Sequence, residues 1–403
     1  MIALMLTLLM PSAQAATVSG KVCVHFKPMY TDRETGDFWH WPSAPEEPAR
    51  GVSLVVIDED TSSVLHTGFS SDGGGDGGCS SVLSFDDTHT FDIRVNSHAD
   101  VNGIEIKVKP TPSSSTYYQH HETNVAAPAA GGTIDVVITV GTSSTTGWGQ
   151  LAAATWAFHR NRMGVSTGTV LEMRDHDCCW HSGGIVRAAS NRKFVIAHEI
   201  GHFVGYQNDE TTGASFSYWA AEDGCDGDGK PQGKHGNVIK EYQSAAVVEG
   251  FADFFAAWLW NRKTEYDCDF ERSYASDFDL NGSDDSDVYS CEGKPVSTLP
   301  GWVSSHDWLE DAIVQGAGSC SGTLSNRGTQ YDWLRFFWDM LTDESVPPAD
   351  IAGLYDEMDP KTFDATGSTP LGSDDPVQRL TTACAAMSLS SECAAQDYNG
   401  QDH

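Results

Sequence analysis

Apolar and polar residues alternate in short runs through the first third of this chain, and then the period changes. VCVHF (22–26) alternates, and VSLVVID (52–58), TFDIRV (90–95), GIEIKV (103–108) and TIDVVITV (133–140) are rich in β-branched residues. Such runs suit a pleated surface with one face buried, so each predicts a strand. Between them lie clusters of Gly, Pro, Asp and Ser, notably SSDGGGDGGCSS (70–81). Short strands separated by frequent turn signals predict a β-sandwich over residues 16–140.

GTSSTTG (141–147) has the composition of a linker. Beyond it the spacing becomes helical. WGQLAAATWAFHRNRM (148–163) predicts a helix, GTVLEMRD (168–175) a strand, and KFVIAHEIGHFVGY (193–206) a helix that Gly205 would stop. YQSAAVVEGFADFFAAWLWN (242–261) predicts a strong helix. TQYDWLRFFWDML (329–341) predicts another, with Trp333, Phe336, Phe337, Met340 and Leu341 on one face. ADIAGLYDEM and VQRLTTACAAM complete the set. The expected class is therefore α+β, with the β-sandwich followed by a mainly helical domain over 148–403.

The first residues change the compartment. An apolar run from Ile2 to Met10 is followed by Pro11 and Ala13-Gln14-Ala15, an export signal with an A-x-A cleavage site, so residues 1–15 are expected to be removed. That run is too short to span a membrane. Ten cysteines fit an oxidising, extracellular or periplasmic location and a disulfide framework. The expected pairs are Cys23–Cys79, Cys268–Cys291 and Cys384–Cys393, with the vicinal Cys178 and Cys179 bonded to two different partners. Lys plus Arg total 24 against 57 Asp plus Glu, a formal charge of −33. A nucleic-acid partner requires a cationic surface, so that class is excluded, as is attraction to an anionic membrane.

Candidate chemistry sits in HEIGH. On a helix, positions i and i+4 share a face, so His198 and His202 can point imidazole nitrogens at one metal ion. Glu199, one step on, can reach a water on that ion without being a ligand. Zinc makes such a water acidic near neutral pH and a carboxylate then takes its proton, the H-E-x-x-H mechanism of metallopeptidases. Two histidines and a glutamate inside so apolar a helix need a compensating partner. Gly201 in mid-helix costs about 1 kcal/mol relative to Ala, which a closely packed neighbour would justify.

A hydrolytic zinc site needs a third protein ligand and an open position. The pattern H-E-x-x-H-x-x-G-x-x-H is matched through Gly205, but position 208 is Asn, a weak ligand beside imidazole or carboxylate. The other source is a glutamate on a separate helix. VEGFADF (248–254) carries Glu249 and Asp253 four apart, on a face that also holds Ala245, Ala246, Ala252, Ala256 and Ala257. Asp253, one turn on, is placed to accept the second N–H of a metal-bound histidine.

In HExxH followed by a helix bearing E-x-x-x-D, the segment 193–260 resembles the gluzincins, the thermolysin-like zinc peptidases. The resemblance implies His198, His202 and Glu249 as zinc ligands, Glu199 as general base, and Asp253 as the residue orienting His198. It implies hydrolysis of protein or peptide substrates on a zincin-type fold. It also implies an antiparallel edge strand above the metal, for which GTVLEMRD is the candidate. The gap from His202 to Glu249 is much longer than in thermolysin, and the family's transition-state histidine motif is not recognisable. Further back, RGVSLVVIDEDTSSVLHTGFSSDGG resembles immunoglobulin- or transthyretin-like accessory domains of secreted enzymes.

An oxyanion needs a donor besides the metal. Of His235, Tyr242, His306 and Tyr331, the choice is Tyr331, which follows the NRGTQ loop and precedes a strong helix. Asp277, Asp279 and Asn281 have EF-hand-like spacing and offer a calcium loop, although the twelfth position is Val288 rather than Glu. EDGCDGDGK (222–230) is a second acidic candidate. Two rival readings remain: a metzincin-like peptidase with a different third ligand, and a non-catalytic secreted binding or adhesion protein that uses its β-domain.

Overall fold

The computed structural model describes residues 16–27, 46–111, 114–140, 146–174, 180–182, 185–188, 193–208, 241–260, 327–328, 330–360 and 376–395. The class is mixed α+β. In chain order the strands are β1 (Thr17–Lys27), β2 (Glu47–Pro48), β3 (Val52–Asp58), β4 (Ser63–Phe69), β5 (Leu83–Asp86), β6 (Thr90–Val101), β7 (Ile104–Lys109), β8 (Gln119–Ala126) and β9 (Gly132–Thr139). Then come α1 (Thr146–Arg160), β10 (Val170–Arg174), β11 (Trp180–Ser182), β12 (Ile185–Arg187) and α2 (Lys193–Asn208). β13 (Glu241–Tyr242), α3 (Gln243–Trp260), β14 (Arg327–Gly328) and α4 (Gln330–Thr342) follow. The chain closes with α5 (Pro348–Met358), α6 (Pro376–Ala386) and α7 (Ser390–Ala395).

The predicted strands form where alternation is strict. In β3 every second residue (Val52, Leu54, Val56 and Asp58) is buried, and in β7 Ile104, Ile106 and Val108 face inward. β4, β5 and β8 were not predicted. β4 is mostly exposed, Val64 and Phe69 included, and β8 is mostly exposed and polar, with Gln119, His120, His121 and Glu122. They form by pairing with the interior strands β3 and β6.

One sheet centres on β1, which pairs with β2, β5 and, in parallel, β9. The larger sheet runs β11-β12-β10-β7-β6-β3-β4, with β8 also on β6. Phe85 of β5 meets Phe91 of β6 edge-on at 4.9 Å, joining the two sheets through one core. The larger sheet crosses the expected linker in sequence, because β10 lies parallel to β7 with Leu171 opposite Ile106 and Met173 opposite Val108. Helix α1 packs on β6 and β7 and against α2.

Strand β10 corrects one expectation. GTVLEMRD does form a strand, but it is interior and parallel to both neighbours, β7 and β12. Among the described residues the sheet ends at this side on β11, which is antiparallel to β12. Among the described residues no helix is long and apolar enough to cross a membrane.

The helical layer is built around α2 and α3. α2 is covered by α1, α3, α5 and the ends of β11 and β12, which is why it is apolar on all sides. It continues past Gly205 to Asn208, so Gly205 does not stop it. The ring of Tyr355 from α5 lies where a side chain at 205 would begin, its Cε1 3.1 Å from that position. Phe251 of α3 stacks on the same Tyr355 ring at 4.3 Å and meets Phe337 of α4 edge-on at 5.6 Å. The predicted face of α4 is buried except for Leu341, which is half-buried at the helix end.

Two expected disulfides are present. Cys23–Cys79 ties β1 to the glycine-rich loop, and Cys384–Cys393 ties α6 to the short, unpredicted α7. Cys268–Cys291 and the vicinal pair Cys178 and Cys179 lie outside the described residues.

Candidate metal centre

Three side chains from two helices converge. On α2, His198 and His202 fall one turn apart on the same face, their rings 4.6 Å apart and perpendicular at 89°. Opposite them α3 presents Glu249, whose Oε2 lies 3.1 Å from His198 Nε2 and 3.2 Å from His202 Nε2. The three donor atoms all lie within 4.8 Å of one another. The spacing follows from the close approach of the helices. A Cβ at Gly201 would stand only 2.8 Å from Ala252 Cα, while Ala246, Ala252, Ala256 and Ala257 are all buried.

Asp253 sits one turn beyond Glu249 and is fully buried. Its Oδ1 lies 2.7 Å from His198 Nδ1. That contact assigns the proton of neutral His198 to Nδ1 and leaves the Nε2 lone pair facing His202 and Glu249. Glu199 is 4% exposed, and its buried Oε2 has no hydrogen-bond partner among the described residues.

The electrostatics reflect three buried carboxylates beside two imidazoles. Burial works against a charged His198, but the facing Asp253 and Glu249 outweigh it and hold the imidazole well above its ordinary value. Burial would raise Glu249, yet His202 and His198 hold it well below the carboxylate range. For Asp253 burial wins over the attraction of His198, and its pKa is raised. Burial likewise raises Glu199 against the pull of His202 and His198.

These residues fit a tetrahedral zinc ion. Zinc–nitrogen and zinc–oxygen bonds of about 2.0–2.1 Å put neighbouring ligands roughly 3.3 Å apart. The two nitrogen–oxygen separations of 3.1 and 3.2 Å match that edge. Two imidazoles and a carboxylate are a borderline donor set suited to zinc. A divalent cation also offsets the desolvation of three clustered carboxylates.

Asn208 is engaged elsewhere. Its Nδ2 donates to the carbonyls of Met163 at 2.8 Å and Val204 at 2.9 Å, holding the turn after α1. Tyr331 lies in the first turn of α4 and Tyr242 in β13, but their side chains fall outside the described residues. His235, His306, the acidic segment 222–230 and the calcium-loop candidates Asp277, Asp279 and Asn281 lie outside them too.

A second group, Asp58, Asp60 and His89, also brings its donor atoms within 4.8 Å and was not singled out in the sequence. Its members are 29 or more residues apart in two cases, so only the folded turns bring them together. Asp58 Oδ1 accepts from the amides of Asp60 and Thr61, and Oδ2 lies 2.8 Å from His89 Nδ1. This group is an ion pair closing the β5–β6 turn onto the end of β3. No protein-family model matches the chain, and no curated protein matches it.

Proposed function

We propose that this chain is a secreted zinc-dependent peptidase of gluzincin type, with the sandwich-like strands carrying a zincin-like core of β10–β12, α2 and α3. The observation that carries the reading is the convergence of His198, His202 and Glu249 beside Glu199, whose buried Oε2 has no hydrogen-bond partner among the described residues. Zinc bound by those three residues supplies Lewis-acid polarisation and lowers the pKa of a water toward neutrality.

The chain's own residues account for the rest. Glu199, desolvated and shifted upward, takes a proton from the attacking water and delivers it to the leaving amine nitrogen. Asp253 fixes the tautomer and orientation of His198. The outer edge of β11 offers backbone donors and acceptors to an extended peptide, which recognises chain direction without demanding particular side chains. The N-terminal apolar run expected to be an export signal and the two disulfides support a secreted enzyme.

Metal analysis of the purified full chain, with a casein assay of wild type and Glu199→Gln, tests the reading. Near-equimolar zinc in both proteins and activity in wild type alone are expected. Wild type without zinc overturns it, and so does a Glu199→Gln enzyme as active as wild type.

A further inference from the structure

We infer that Gly201 is a positioning residue for the metal centre: its missing side chain sets the separation of α2 and α3, and with it the distance from Glu249 to both histidines. The inference rests on the zinc-peptidase reading above. Gly201 lies one residue before His202, and the point it touches, Ala252, lies one residue before Asp253. A Cβ built at 201 would stand 2.8 Å from Ala252 Cα, 2.9 Å from its carbonyl oxygen and 2.9 Å from Phe255 Cβ.

Two of those three atoms are backbone, so no rotamer change relieves the contact. The helices must part until the 2.8 Å contact opens to the 3.4 Å of ordinary packing. Metal–ligand distances tolerate only about ±0.2 Å. Glu249 rides on α3 as a rigid element, so this parting removes its oxygen from bonding range of an ion held by His198 and His202. The Asp253–His198 contact at 2.7 Å crosses the same seam and stretches with it.

Gly205, on the same helix, supplies the contrast. A Cβ there meets the ring of Tyr355 at 3.1–3.3 Å, on α5, which carries no ligand. Although that ring stacks on Phe251 of α3, the contact is with a side-chain edge at 3.1 Å or more and not with backbone, so a small turn of Tyr355 relieves it without parting α2 from α3.

The experiment compares wild type, Gly201→Ala and Gly205→Ala as full chains. Zinc affinity is read by competition with a chromophoric chelator, folding by circular dichroism, and ligand geometry by the visible spectrum after cobalt substitution. Gly201→Ala is expected to fold yet bind zinc at least about 100-fold more weakly, beyond the cost of disturbing a ligand's hydrogen-bond partner. Its cobalt spectrum should change from the intense bands of a tetrahedral ion to the weak bands of a higher-coordinate one. Gly205→Ala should keep wild-type affinity and spectrum.

Wild-type affinity in Gly201→Ala overturns the inference, as does an equal loss in both variants. A Gly201→Ala chain that does not fold overturns it too, because the close approach at Ala252 then serves the packing of α2 on α3 rather than the geometry of the ligands. Absence of zinc from wild type sinks the peptidase reading itself, a result distinct from wild-type binding in Gly201→Ala.

Discussion

Asp253 is fully buried and lies away from the proposed position of the ion, yet it holds one of the proposed ligands. Its Oδ1 holds His198 Nδ1, while its Oδ2 has no hydrogen-bond partner among the described residues. Asp253→Asn preserves the volume but turns a charged acceptor into an amide that can bind in either orientation. Zinc affinity is expected to fall about 10–100-fold, measured by chelator competition. Glu199→Gln should behave in the opposite sense. Zinc is retained, while peptide turnover drops by about 10²–10⁴-fold because no base remains for the water proton. The contrast separates holding the metal from moving the proton. A second residue-scale prediction concerns His89. The hydrogen bond to Asp58 holds His89 above its ordinary pKa. Burial pushes Asp58 up, but the bonds from His89 and Thr61 more than offset this and hold it low. His89's contribution is complete below its unfolded value of about 6.5 and is lost as pH rises through its raised folded value. Asp58's contribution is present above its own unfolded value and is lost as pH falls through its depressed one. The difference in Tm between wild type and His89→Gln should therefore shrink as pH is raised from about 6 to about 9. A difference that grows over that range would exclude the ion pair as its source. The convergence of His198, His202 and Glu249 and the contact of Asp253 with His198 were legible because metal chemistry restricts both residue type and helical spacing. Gly205 was misread because glycine serves equally as a helix stop and as a seat for a neighbouring ring. Only the position of Tyr355 distinguishes the two.

Helix contacts follow the same logic one level up. α3 is gripped from both sides by glycine: Gly201 of α2 on one, and its own Gly250 against α4 on the other. A Cβ at Gly250 would meet both Gln330 O and Trp333 Cβ at 2.5 Å. Gly250→Ala gains helix propensity and still should lose about 1–3 kcal/mol of stability by overpacking, read from the urea midpoint. The C-terminal end of α3 is held differently. Arg160 at the end of α1 donates to the carbonyl of Trp258 at 2.8 Å and lies over its ring at 4.9 Å. The length and apolarity of these helices made them legible from sequence alone. The strand expectations divided by burial. The longer strands with one inward face announced themselves, whereas β5 is only four residues long, and β4, mostly exposed, and β8, mostly exposed and polar, depend on neighbours the sequence does not display. β10 shows a further limit. Apolar alternation at Leu171 and Met173 marks a strand but says nothing about its direction or neighbours, and it was the pairing with β7 and β12 that moved it from edge to interior.

That same pairing sets the behaviour of the whole molecule. The sheet that begins at β4 ends at β11, beside the helix carrying HEIGH. Ile106 and Val108 of β7 are fully buried against the layer that includes Leu171 and Met173 of β10. The hydrophobic core likewise runs unbroken from Val22 to Cys393. Composition shifted at 141–147 as it would at a linker, but composition cannot reveal that strands on either side of it hydrogen-bond to each other. If the first 140 residues formed a detachable module, separating them would expose only polar surface. Here it would strip β10 of a parallel neighbour and uncover the apolar face of α1 that lies on β6 and β7. A protease site inserted between 141 and 145 should therefore yield a nicked protein whose two pieces co-elute in gel filtration and keep their zinc. They should separate only in denaturant, at a midpoint no more than modestly below that of the intact chain. The charge of −33 makes low salt the stringent condition, since repulsion between acidic pieces is then least screened. Pieces that part at low salt without denaturant, the second still binding zinc, would show that the sheet is joined at β7–β10 without either half needing the other.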